Sequence, residues 1–78
     1  MISTWIGLTP SQLAGKIDRN LDKLMETKGL VGVGIGLSKK DYRKCVIYLR
    51  TVSLEHIPEV AAAAHLILDT RQIVVVKQ

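Results

Sequence analysis

With 78 residues, of which 47% are hydrophobic and 23% charged, the chain has room for one domain and enough apolar surface for a core. The single cysteine, Cys45, excludes an intrachain disulfide framework and a site built from several thiolates, and it indicates a reducing compartment. No apolar run reaches the roughly 20 residues of a membrane span, and the N-terminus lacks a signal-peptide pattern. We therefore expect one α+β domain over residues 1–78 that is soluble, cytoplasmic and free of membrane contact.

The net charge of +4 is confined to one segment. Residues 39–50 contain five basic side chains and one acid, whereas the six basic and six acidic residues elsewhere cancel. The excess is therefore a local feature that could attract an anionic partner.

The first eight residues have the alternation of a short strand, and a helix follows. Ile2, Ile6 and Leu8 share one parity. Thr9 to Gln12 then forms a capping-box pattern, with proline at the first helical position. Apolar residues recur at helical spacing up to Gly29, a typical terminator, so we predict a helix over residues 10–28 with a buried stripe at Leu13, Ile17, Leu21, Leu24 and Met25.

Two strands follow the helix and form a predicted antiparallel hairpin. Residues 30–37 and 44–51 both alternate with a period of two, and the polar connector between them is short. Val31, Val33, Ile35 and Leu37 share one face of the first strand with no glycine among them, so we expect that face to pack against helices.

The last third of the chain predicts a helix from Pro58, with a stripe at Val60, Ala64, Ile67 and Leu68, and a final strand over residues 72–77. An alternative pairs residues 65–68 with 73–76 as a hairpin, but the alanines at 61–64 favour a helix.

Together these elements give a ferredoxin-like β-α-β-β-α-β two-layer sandwich. If the first eight residues form no strand, the order becomes α-β-β-α-β with a three-stranded sheet.

In either arrangement the helices cover one sheet face and leave the other open. The open face would carry Trp5, the strand glycines Gly32, Gly34 and Gly36, and Val46, Tyr48 and Arg50. Glycine at alternate strand positions costs stability, so it suggests that neighbouring aromatic side chains or a partner lie against the bare backbone.

The glycines do not form a nucleotide-binding motif, because they alternate inside a strand and are followed by a second strand. Cys45 lies on the apolar parity of its strand, where a thiol is inert. No set of residues resembles a catalytic or metal site, so we expect neither an enzyme nor a cofactor.

Two functional hypotheses remain. The first is a homo-oligomer, with a dimer favoured, that self-associates through the open face or the glycine-rich edge strand. Its contact residues would be Trp5, Gly32, Gly34, Gly36, Val46 and Tyr48. The second is a nucleic-acid-binding module, in which basic residues hold phosphates and aromatic rings stack on bases. Its contact residues would be Lys39, Lys40, Tyr42, Arg43, Lys44 and Arg50, with Tyr48 and Trp5 on the sheet.

Overall fold

The chain folds in the order α-β-β-α-β. The computed structural model describes residues 6–78. A short 3-10 turn, Leu54–His56, precedes the second helix, and the main elements are α1 (Pro10–Met25), β1 (Leu30–Leu37), β2 (Cys45–Thr51), α2 (Ile57–Leu68) and β3 (Ile73–Lys77).

The three strands form a mixed sheet in the order β1-β2-β3. β1 and β2 form the predicted antiparallel hairpin, and β3 lies directly beside β2 and parallel to it. The predicted ferredoxin-like fold is therefore wrong, because that fold inserts another strand between two strands joined through a helix. Here Ile47 already pairs with Ile73, which leaves no such place. The alternative, α-β-β-α-β with a three-stranded sheet, is confirmed.

The predicted N-terminal strand falls partly on residues 1–5, which lie outside the described residues. Residues 6–8 form no strand. Instead, the Ile6 amide donates to the Arg43 carbonyl at 3.1 Å, and the side chain of Gln72 bonds both backbone groups of Leu8. The hydrogen bonds of the Gln72 side chain therefore attach this segment to the sheet, in place of the predicted backbone hydrogen bonds between paired strands.

The start of α1 follows its sequence signal closely. The Gln12 amide donates to the Thr9 hydroxyl at 3.2 Å, and the Thr9 amide donates to the Gln12 side chain at 2.9 Å, which completes the capping box. The helix ends at Met25, three residues earlier than predicted, and Gly29 has the left-handed φ of 91° in the turn that follows.

The predicted stripe of α1 is only partly buried. Leu13 and Leu24 are fully enclosed and Ile17 packs against the core, whereas Leu21 and Met25 are exposed. Each step of four residues turns about 40° around a helix, so Leu21 and Met25 rotate progressively away from the sheet.

β1 contains a bulge that changes which side chains face the helices. The pairing shifts between Leu30 and Gly32, so Leu30 is buried while Val31 is exposed. The prediction that Val31 faces the helices is therefore wrong. Val33 packs against the core, whereas Ile35 and Leu37 are 38% and 52% exposed, so the hairpin end of β1 is only partly covered.

The final helix and strand lie close to their predicted positions. Val60, Ala64 and Leu68 are buried, Ile67 packs against them, and the cluster meets Ile47 and Leu49 of the central strand. α2 continues to Leu68 and is followed by Asp69 in the left-handed conformation, φ 50°. The alternative hairpin over residues 65–76 is therefore wrong.

Candidate binding surface on the helix-free face of the sheet

The sheet face opposite the helices is built from three rows of paired residues. Its residues, row by row from the hairpin end, are Gly36 and Val46; Gly34, Tyr48 and Val74; and Gly32, Arg50 and Val76. One outer strand therefore contributes only glycine to this face, and the other contributes only valine. Of the residues predicted for the face, Trp5 lies outside the described residues.

The two large side chains of this face lie across the glycines of β1. A Cβ atom on Gly36 would come within 3.0 Å of the Tyr48 ring, and one on Gly32 within 2.6 Å of the Arg50 guanidinium. The Tyr48 hydroxyl donates to the Leu37 carbonyl at 2.7 Å, which fixes the ring in that position. The expectation that Tyr48 covers bare backbone is therefore confirmed at Gly36.

Gly34 differs from the other two glycines. Apart from Gly34 itself and its two neighbours in the chain, no described atom lies within 4 Å of the position that its Cβ would occupy. Its backbone is thus accessible between the Tyr48 ring and the Arg50 side chain, and it is the one glycine of the series that a partner could approach without moving a side chain.

On the side of Tyr48 that faces β3, the sheet face forms a groove of about 330 Å³, which we name the valine groove. Tyr48 and β3 bound it, and its lining residues are Ser38, Lys39, Lys40, Lys44, Val46, Tyr48, Arg71, Ile73, Val74 and Val76. Val46 is only 3% exposed although it lies on the helix-free face.

The rim of the valine groove is positively charged. Lys39, Lys40 and Lys44 come from the hairpin, and Arg71 comes from the loop before β3. No acidic side chain of residues 6–78 is among its lining residues. The sequence gives no signal for Arg71 as a site residue, because only the parallel placement of β3 beside β2 brings it to the hairpin.

The predicted nucleic-acid contact set is not brought to one place. Lys39, Lys40 and Lys44 line the valine groove, but Arg50 lies beyond Tyr48, over Gly32. Tyr42 is 77% exposed and is not among the lining residues.

Arg43 is engaged locally at the hairpin tip. Its guanidinium lies 3.3 Å from the Asp41 carboxylate, and its backbone amide also donates to that group. These hydrogen bonds lower the pKa of Asp41, which keeps the carboxylate charged and partly neutralises Arg43.

Cys45 lies on the opposite, helix-covered face and is 2% exposed. Burial raises the pKa of its thiol, so the thiol stays protonated near neutral pH, as expected for an inert core residue.

β1 forms an edge of the sheet in the described part of the chain. The Ser38 amide donates to the Lys44 carbonyl, so residues of the same parity as Ser38 bond to β2. The alternate residues Val33, Ile35 and Leu37 therefore direct their backbone groups outward. Of these groups, the Leu37 carbonyl is occupied by Tyr48.

The fold and this face define a small α+β domain with an accessible edge strand and a cationic groove. No family model, curated protein or solved structure matches the chain. Within residues 6–78, neither helix has the length and apolar character required to cross a membrane.

Proposed function

We propose that the protein is a non-enzymatic module that self-associates through the edge strand β1. Two copies would pair their β1 strands antiparallel about a two-fold axis and join their sheets. The observation that carries this proposal is that β1 combines outward backbone groups with exposed apolar side chains, at Val31, Ile35 and Leu37.

β1 has few of the features that prevent edge pairing. Its eight residues, LVGVGIGL, include no charged side chain and no proline. The bulge near Val31 and the Tyr48 hydroxyl on the Leu37 carbonyl affect only its two ends. Among residues 6–78, no strand pairs with the outer side of β1 around Ile35, so this part of the strand can accept a partner.

A second copy of the chain is the partner that best suits this strand. An uncharged strand presents no like-charge repulsion to its own copy, whereas the basic hairpin would repel another hairpin placed opposite it. Antiparallel pairing places Val33, Ile35 and Leu37 against the same residues of the partner. A small domain also gains buried apolar surface in this way.

Sedimentation equilibrium from micromolar to millimolar concentration tests the proposal. We expect the wild-type chain to dimerise in this range and the Ile35→Lys variant to sediment as a monomer, because an edge lysine opposes strand pairing. The 38% exposure of Ile35 lets the lysine reach solvent in the monomer. Leu66→Lys is the matched control, since Leu66 lies on α2 and is 85% exposed.

A wild-type chain that stays monomeric at the highest concentration would contradict the proposal. Equal dissociation of the Ile35 and Leu66 variants would contradict it too, because it would point to general surface charge rather than to β1. Circular dichroism of each variant verifies that it is folded.

Nucleic-acid binding is the second candidate function. It is favoured by one observation, that Lys39, Lys40 and Lys44 line the same groove as the Tyr48 ring. Fluorescence anisotropy with labelled single-stranded RNA should then show binding at low salt that weakens steeply as salt is added. Absence of binding at low salt would refute this candidate.

A further inference from the structure

We infer that the valine groove is a binding site for a small organic anion with an apolar body. The charged head of the ligand lies at the end formed by Lys44 and Arg71, and its body lies along Val74 and Val76 against Tyr48. This site is separate from the β1 edge, and its occupation does not depend on self-association.

The groove exists because the glycines of β1 leave space for larger neighbours. Tyr48 and Arg50 both lie over β1, at Gly36 and Gly32. Val74 and Val76 are the β3 residues that pair with Tyr48 and Arg50. If the Tyr48 and Arg50 side chains pointed toward β3 instead of β1, they would cover these two valines. Their placement over β1 leaves an apolar floor beside β3.

The two ends of the groove differ in chemistry. Lys44 directly precedes β2, and Arg71 lies two residues before β3, so both lie at the Val46 end. Val76 pairs with Arg50, two rows further along the sheet. A ligand with one charged end therefore has a single preferred orientation, with the anion at the Val46 end.

Charge complementarity selects an anion. Four cationic side chains line the groove and no acidic side chain among residues 6–78 does. Arginine and lysine donate charge-assisted hydrogen bonds to carboxylate and phosphate oxygens.

Size and shape select a small molecule. The volume of about 330 Å³ is near the lower end of the range for small-molecule pockets, about 300–1,000 Å³. The Tyr48 ring is already held by its bond to the Leu37 carbonyl, so binding does not have to order this wall.

Titration of the ¹⁵N-labelled chain with 1-naphthyl phosphate, followed by NMR, tests the site. Backbone amides of residues 44–48 and 71–76 should shift together. Inorganic phosphate and the neutral 1-naphthalenemethanol, which each supply one half of the probe, should bind at least about fivefold more weakly than the complete molecule, because each forgoes one end of the groove.

Two variants on the same sheet face separate the groove from general positive charge. Arg71→Gln should weaken binding of 1-naphthyl phosphate by about threefold to tenfold, as expected for loss of a partly exposed charge-assisted bond. Arg50→Gln is the matched control, since Arg50 is also exposed but lies on the other side of Tyr48. Its affinity should stay within about twofold of wild type. Lys44→Gln should reproduce the Arg71 effect if the Arg71 variant does not fold.

Three results would overturn the inference. The first is equal weakening by the Arg71 and Arg50 variants, and the second is equal binding of the neutral probe. The third is tighter binding of oligothymidylates than of thymidine monophosphate, with an affinity that rises steadily as the oligonucleotide becomes longer. That result would show that the groove binds nucleic acid. In the Ile35→Lys chain, unchanged probe binding would support the separation of this site from the edge strand, and lost binding in a folded variant would refute it.

Discussion

The two outer strands of the sheet present opposite kinds of residue beside the same central strand, β2. On the helix-free face β1 presents glycine in every row, whereas β3 presents Val74 and Val76 in the two rows it occupies. The large side chains of β2, Tyr48 and Arg50, lie over the strand that has no side chains of its own. The glycines of β1 therefore also shape the groove beside β3, on the same face of the sheet.

The two strands also differ in how they are attached to β2. β1 is joined by a short hairpin, so its pairing is local in sequence. β3 arrives through α2, and its start is held by the buried side chain of Gln72. That side chain bonds the Cys45 carbonyl of β2 and both backbone groups of Leu8, and so it links three segments.

The strongest test of this difference is Gln72→Ala. The change removes three hydrogen bonds and leaves backbone groups of Leu8 and Cys45 without their partner in a half-buried to buried setting. We expect the free energy of unfolding to fall by about 2–4 kcal/mol, measured by urea denaturation. The exposed Gln78→Ala serves as the control and should change it by less than about 0.5 kcal/mol. A loss below about 1 kcal/mol for the Gln72 variant would show that β3 does not depend on this link.

A smaller effect is expected from valine at two neighbouring glycines of β1. In Gly36→Val the new side chain meets the Tyr48 ring, and displacing the ring should cost about 1–2 kcal/mol. In Gly34→Val it enters open space, and the better strand propensity of valine should raise stability by about 0.5 kcal/mol. Urea denaturation of both variants measures the difference. Equal changes in the free energy of unfolding would mean that the Tyr48 ring does not determine which of the two glycine positions tolerates a side chain.

The features that could be predicted from sequence are those with local causes. The capping box at Thr9 fixes the start of α1, and the alternation of residues 30–37 gives β1 with its observed bounds. The same alternation indicated that Tyr48 would cover a glycine, because cross-strand neighbours follow from hairpin pairing.

The remaining features depend on contacts between distant segments. Gln72 and Leu8 are 64 residues apart, and nothing near either residue indicates the bond between them. Arg71 reaches the groove only because β3 lies beside β2, and periodicity does not specify which strands are neighbours. The bulge at Val31 is not predicted either. The alternation of apolar residues with glycine holds from Val31 to Leu37, and its one departure, the apolar Leu30 on the glycine parity, does not by itself specify a bulge.

A small loss of stability is also expected from Tyr48→Phe, which tests whether the Tyr48 hydroxyl limits strand pairing at the edge of β1. The change removes the exposed hydrogen bond to the Leu37 carbonyl but keeps the ring over Gly36, so the free energy of unfolding should fall by about 0.5–1 kcal/mol. It also frees an outward carbonyl for a partner strand, so self-association measured by sedimentation should become tighter. Tyr42→Phe, at an exposed ring outside the groove, should alter neither quantity. If the Tyr48 variant dimerises more weakly than wild type, the carbonyl of Leu37 is not part of the pairing edge, and the contact between copies must lie elsewhere.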